Sequence, residues 1–301
     1  MATSIDLLMP RFCFPGWFGP RHAGLGNELI PLAKAFIASR ELGIPMLPTA
    51  WGLNDRGYRH YFGTSRFDWV RLYALSRALP RYTFREEDYL ATGEADYGRA
   101  VRVYAERMGL TQKRHFVLMT DGLWGAYQPI RKARSFVRGL LYNARLSVAN
   151  LFQLQGRVGD APLLIGVNIR LTDFAVPTPE TDFRGLWNTR VPMPWYFAVC
   201  RALRGALGEL SRFLLVTDGS PEELREFIDE FRPITTFDMA RTDISNLIAL
   251  SEADLLICSI SSYSQWAAFL SNAPYIWYRP HLRPVGKYLT MWESIVGSET
   301  S

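Results

Sequence analysis

Three stretches of the chain end in side chains that can grip or move charge. The segment 163–174, LLIGVNIRLTDF, is an apolar run that delivers Asn168, Arg170 and Asp173 at its tip. The segment 213–219, FLLVTDG, ends in Asp218, and 254–262, DLLICSISS, ends in Ser259, Ser261 and Ser262. A guanidinium is a planar fork suited to bidentate contacts with phosphate or carboxylate. A serine-rich turn that opens a helix offers hydroxyls, free backbone N–H groups and the positive end of the helix dipole, which together attract phosphate. The combination is the chemistry of a diphosphate clamp. Simpler readings exist for each part alone: an Arg170–Asp173 ion pair, a serine helix cap, an aspartate that shapes a turn. What distinguishes them is that all fall at the carboxyl ends of neighbouring apolar runs.

Those runs need a sheet. In the second half, strand candidates at 163–169, 213–217, 234–237, 254–258 and 275–278 alternate with helical patterns at 195–210, after Ser220, over 243–253 and over 263–272. Ser220 and Asp243 are expected helix caps, with Pro221 at the first position after Ser220. Strands apolar on both faces, separated by helices, predict a parallel sheet covered on both sides. Ligands in such sheets bind beyond the carboxyl strand ends. In the first half, a strand is expected at 5–9, then the glycine turn around Gly24 and Gly26. A helix should follow, with Leu29, Leu32, Ala33, Phe36 and Ile37 at helical spacing. A further strand is expected at 115–120, and the aromatic, arginine-rich region 58–104 shows poor periodicity. The sequence thus predicts an α/β protein of two domains, 1–158 and 159–301, with a break near 155–161, and a cleft between them.

Composition bounds the possibilities. The 301 residues are 48% hydrophobic and 21% charged, with a net charge of +5 and 30 arginines among the 34 basic residues, so anionic partners fit. The three cysteines, Cys13, Cys200 and Cys258, show no spacing that suggests a disulfide framework or zinc site, and the four histidines are scattered. No Asp-x-Asp, no GxSxG and no GxxxxGK[ST] occurs. The start has neither a basic leader nor a membrane-spanning run, so a cytoplasmic location is expected. Nucleic acid is not expected as a partner, because no binding module or concentrated basic stripe is present. The arginines between 99 and 145 suggest peripheral contact with an anionic membrane on its inner face.

The order and spacing of these segments resemble the fucosyltransferase superfamily, which includes bacterial α1,2-fucosyltransferases, nodulation and core α1,6-fucosyltransferases, and protein O-fucosyltransferases. AGLGNELIPLAKAFIAS resembles the N-terminal Gly-x-Gly-Asn-Gln turn and helix. GVNIRLTDF resembles the His-x-Arg-Arg-Gly-Asp-Tyr motif, and DISNLIALSEADLLICSISSYSQWAAFLS resembles the late segment that ends in Ser-Ser-Phe-Ser-Trp-Trp-Ala. The resemblance implies a GT-B fold, GDP-fucose as the donor substrate, an oligosaccharide or lipid-linked glycan as acceptor, and no metal or other cofactor. It implies donor contacts from Gly26, Asn27, Asn168, Asp218, Asp243, Ser261 and Ser262, with Arg170 on the diphosphate and Asp173 or Glu28 as the base. Departures stand at Asn168 for histidine, Leu171 for the second arginine, Thr172 for glycine and Glu28 for glutamine. They leave open a different nucleotide sugar or a non-catalytic relative.

Overall fold

The computed structural model describes residues 11–16, 24–47, 56–62, 70, 74, 77–120, 122–159, 163–184, 188–280 and 295. The strand expected at 5–9 lies outside them. The chain forms two compact units, Met1–Leu140 and Leu141–Ser301.

The first unit holds a parallel sheet of β1 (Arg11–Pro15), β2 (Arg81–Phe84) and β3 (Phe116–Thr120), in the order β1-β3-β2. The long helix α1 (Leu25–Leu42) packs on β1 and β3. Leu29, Leu32, Ala33 and Ile37 are buried as the spacing requires and Phe36 is half-buried, while Ile30, Pro31, Lys34 and Ala35 are buried too, so the helix is covered on more than one face. It stops at Gly43, whose left-handed backbone (φ 62) returns an N–H to the Ser39 carbonyl. The unpatterned region contains, besides β2, the helices α2 (Glu86–Thr92) and α3 (Tyr97–Arg107). Asp96 caps α3 by accepting from the Arg99 N–H at 3.0 Å. Helix α4 (Arg134–Tyr142) leads out of the unit.

The second unit begins with α5 (Ser147–Val158) and builds a four-stranded parallel sheet from β4 (Leu163–Ile169), β5 (Ser211–Thr217), β6 (Leu255–Ile257) and β7 (Tyr275–Ile276), in the order β5-β4-β6-β7. Helix α6 (Met193–Leu207) precedes β5, and α7 (Arg225–Phe231) follows it. Helices α8 (Asp243–Ser251) and α9 (Ser262–Leu270) flank β6 in sequence. The alternation of β4 assigns its faces. Ile165, Val167 and Ile169 enter a core with Tyr196, Cys200, Phe213, Phe227 and Phe231. Gly166 faces the opposite way, where a Cβ would stand 2.8 Å from Leu250 Cδ2 and 3.2 Å from Ala253 Cβ. Glycine there lets α8 lie close against the sheet.

Three local expectations are corrected. Residues 234–237 form no strand. Ile234 makes a single bridge to Leu214, and Pro233 before it has no N–H to extend the ladder. Ser220 does pair with Glu223 (N–H to Oε2 2.9 Å, Glu223 N–H to Oγ 3.2 Å), but this box closes the turn 221–224 and α7 starts only at Arg225. The N-cap of α8 is Thr242, whose hydroxyl accepts from the Asn246 side chain at 3.1 Å rather than from a helix N–H, and Asp243 is the first helical residue. Burial raises the thiol pKa of all three cysteines, that of Cys200 to about 12.

Candidate active site

Register places the chemistry. Ile169 pairs with Thr217 and Val167 with Ile257, so Arg170, Asp218 and Ser259 leave adjacent strands at one sheet edge. Arg170 comes from β4, and its side chain is 20% exposed. Its Nη2 donates to Asp173 Oδ1 at 2.7 Å and lies 3.2 Å from Asp218 Oδ2. The guanidinium carbon sits 5.4 Å from the Phe174 ring centre. Its Nε is buried and has no hydrogen-bond partner among the described residues. Buried donors of that kind are scarce in folded proteins, and one beside a strand-end loop is suited to an incoming anion. The arginine is therefore shared between two carboxylates through one nitrogen and keeps another donor uncommitted.

Asp218 shapes the loop that carries Arg170. Its Oδ1 accepts from the Leu171 N–H at 2.8 Å and its Oδ2 from the Thr172 hydroxyl at 2.5 Å. Thr172, where the resembling motif has glycine, thus contributes a hydroxyl that ties the loop to β5.

Asn168 lies under the next strand's turn and is 3% exposed. Its Oδ1 accepts from the hydroxyls of Ser259 (2.7 Å), Ser264 (2.8 Å) and, more distantly, Ser261 (3.4 Å). Its Nδ2 donates to the Val216 carbonyl at 3.1 Å, and its own carbonyl accepts from the Tyr196 hydroxyl at 3.0 Å. Asn168 thus ties β4, β5, α6 and the serine turn together. Ser261 caps α9, accepting from the Ser264 N–H at 3.1 Å, and is itself buried. Ser262, the first residue of α9, is half-buried. The serine hydroxyls mostly face inward, so what the turn presents outward is the helix start, with its backbone dipole. Asp243 is exposed, and its backbone carbonyl accepts from the Tyr263 hydroxyl, which brings α8 to the first turn of α9.

Gly26, Asn27 and Glu28 lie in the other unit, in the first turn of α1. Gly26 is buried, while Asn27 and Glu28 are half-buried, and the N–H groups of Asn27 and Glu28 donate to the Gly24 carbonyl at 2.9 and 3.2 Å. Glu28 in a helix's first turn suits the dipole.

Three supporting residues escape a reading by residue type. Tyr196 and Ser264 complete the Asn168 node, and the only advance signal was the Ser261-x-x-Ser264 spacing typical of a cap. Lys34 of α1 is fully buried, with Nζ donating to the carbonyls of Gly122 (3.0 Å) and Trp124 (3.1 Å) and standing 3.5 Å from the Trp124 ring centre. An alanine- and leucine-rich helix gives no hint that one lysine will be buried. Among the described residues, no cluster of His, Cys, Asp or Glu is disposed to hold a metal ion, and no helix is long and apolar enough to cross a membrane.

No protein-family profile and no curated protein matches the chain. Solved structures do. NodZ α1,6-fucosyltransferase co-crystallized with GDP aligns at a TM-score of 0.52 with 16% identity, over 87% of this chain and 93% of that one. The Bradyrhizobium fucosyltransferase NodZ gives 0.51 with 16% identity, over 87% and 94%. POFUT1 in complex with GDP-fucose gives 0.53 with 10% identity, over 92% and 99%. Two parallel-sheet units and these alignments, which run over most of both chains, give this protein a GT-B fold, the fold it shares with these solved fucosyltransferases.

Proposed function

We propose that the protein is an inverting, metal-independent glycosyltransferase that moves fucose from GDP-fucose to a hydroxyl of a glycan or lipid-linked glycan. The observation that carries this reading is Arg170. A guanidinium with an uncommitted buried Nε stands at the carboxyl end of β4, one strand from the serine-lined start of α9. Structures of the same fold have been determined with GDP and with GDP-fucose.

In the proposed reaction an acceptor hydroxyl oxygen forms a bond to the anomeric carbon. The bond from that carbon to the β-phosphate oxygen breaks, and its electron pair stays on the diphosphate. The acceptor proton passes to a carboxylate. Charge that grows on the leaving diphosphate is met by fixed donors, Arg170 and the N-terminus of α9, which need no reorganisation as it develops. Asp218 and Asn168 hold those donors in place.

Two carboxylates are candidates for the base, Glu28 and Asp173. Removing a positioned general base costs about 10²–10⁴ in rate. Glu28→Gln and Asp173→Asn are therefore expected to separate. One loses turnover on that scale, together with the acidic limb of its pH–rate profile, and the other keeps both. If both variants retain the parent profile, neither carboxylate takes the proton.

Calorimetric titration with GDP, UDP and dTDP, followed by a donor panel, tests the function. GDP is expected to bind at least about tenfold more tightly than the others, a difference of about 1.4 kcal/mol. Preference for UDP or dTDP would transfer the assignment to another nucleotide sugar. GDP binding without turnover on any donor would make the chain a nucleotide-binding relative, the alternative suggested by Leu171 and Thr172.

A further inference from the structure

We propose that the outward face of α5, with the turn before it and the loop at Arg241, is a docking surface for an anionic lipid bilayer. The inner face of α5 is conventional: Ser147, Leu151 and Leu154 are buried, and the helix packs against α8. Its outer face is not. Val148 and Phe152, one turn apart, are 67% and 78% exposed, and Leu146 at the N-cap is 46% exposed. A helix on a protein surface ordinarily turns polar side chains to water. Leu146 also holds a left-handed backbone (φ 69), which a leucine adopts at an energetic cost.

Charge identifies the partner. Residues 143–159 include Arg145 and Arg157 and no aspartate or glutamate. Arg241, also left-handed (φ 54), is fastened beside the helix by Asn150, whose Nδ2 donates to the carbonyls of Arg241 (3.1 Å) and Ala240 (3.3 Å). Arg145 and Arg241 are exposed and have no ion-pair partner among the described residues, whereas Arg157 is clasped by Asp238 at 2.8 and 2.7 Å. An apolar wedge rimmed by unpaired guanidiniums matches the boundary between headgroups and acyl chains. There the rings and branched chains sink in and the cations meet lipid phosphates. A second copy of the chain fits less well. Three partly exposed side chains offer far less than the roughly 800 Å² per partner of a stable interface. A two-fold pairing on this face would also bring Arg145 and Arg241 together, while Asp238 is already engaged by Arg157. The surface does not depend on the transferase reading.

The test is co-sedimentation of the whole chain with vesicles of phosphatidylcholine and phosphatidylglycerol in equal parts, against phosphatidylcholine alone. Binding is expected on the anionic vesicles, at least about tenfold weaker on the neutral ones, and weakened by added salt. Phe152→Ser should cost about tenfold. Arg145→Glu and Arg241→Glu should each cost about tenfold or more, because a favourable charge becomes an unfavourable one. Leu90→Ser, exposed on α2 of the other unit, should bind as the parent does. GDP titration of each variant reports separately on the nucleotide site and should not change. Absence of binding, equal binding to neutral vesicles, or parental binding by Phe152→Ser and Arg241→Glu would overturn the proposal. So would a concentration-dependent dimer abolished by Phe152→Ser, which would give the face to a second copy.

Discussion

Arg170→Ala is expected to lower turnover by at least about a hundredfold and to weaken GDP binding, while the protein stays folded. The rate figure follows from the loss of one preorganised donor to developing charge, about 3 kcal/mol. Stability should fall modestly. The Arg170 and Asp218 side chains are only 20% and 19% exposed, so removing the guanidinium leaves Asp218 without its cation. That carboxylate keeps the Leu171 N–H and the Thr172 hydroxyl. Arg170→Lys separates charge from geometry, because lysine restores the cation without the fork. Partial recovery of binding with poor turnover is expected. Steady-state kinetics with calorimetry and thermal melting are the measurements. An alanine variant that binds GDP like the parent would remove Arg170, and with it the proposed diphosphate clamp.

The largest stability effect is expected from Asn168→Ala. One amide oxygen collects three serine hydroxyls and its nitrogen satisfies the Val216 carbonyl, all in a buried setting. Truncation leaves buried polar groups without partners, each worth about 1–3 kcal/mol. The Ser259 hydroxyl already lies 2.8 Å from that of Ser261 and 3.0 Å from that of Ser264, and these can partly re-pair, so the net loss should be about 2–3 kcal/mol. Urea denaturation measures it. Because the start of α9 rests on this node, GDP affinity should fall as well. A variant as stable as the parent would show that the serine turn holds itself.

How much of this was legible depends on the kind of element. Strand β4 was readable because both faces of a central parallel strand are buried, so its apolar run is continuous and ends where the chain meets solvent. Edge strand β2 was not. Only Phe84 of its four residues is fully buried, and arginine, tyrosine and threonine fill the rest. Helix α3 carries a helical pattern in Tyr97, Ala100, Val101, Tyr104 and Ala105, all buried. Tyrosines, which favour strands, stand at two of those positions and blur it. Arg170, Asp218 and the serine turn were legible as strand-end residues, because each directly follows an apolar run, and the register puts them at one sheet edge. Sequence could not distinguish a hydroxyl that faces outward from one folded into a network. Ser261 and Asn168 turned out to be part of that network, because inward orientation is fixed by strand register and helix approach rather than by residue type.

Leu171 has a consequence for redesign. It occupies the place of the resembling motif's second arginine, is 5% exposed, and its Cδ1 lies where a Cβ on Gly219 would be only 2.5 Å away. The two loops therefore interlock, with the Leu171 side chain filling the space that a side chain at 219 would need. Grafting an arginine at 171 alone would strand a cation against apolar neighbours, and enlarging residue 219 alone would wedge the interlock apart. At this sheet edge the unit of change is a matched pair of positions.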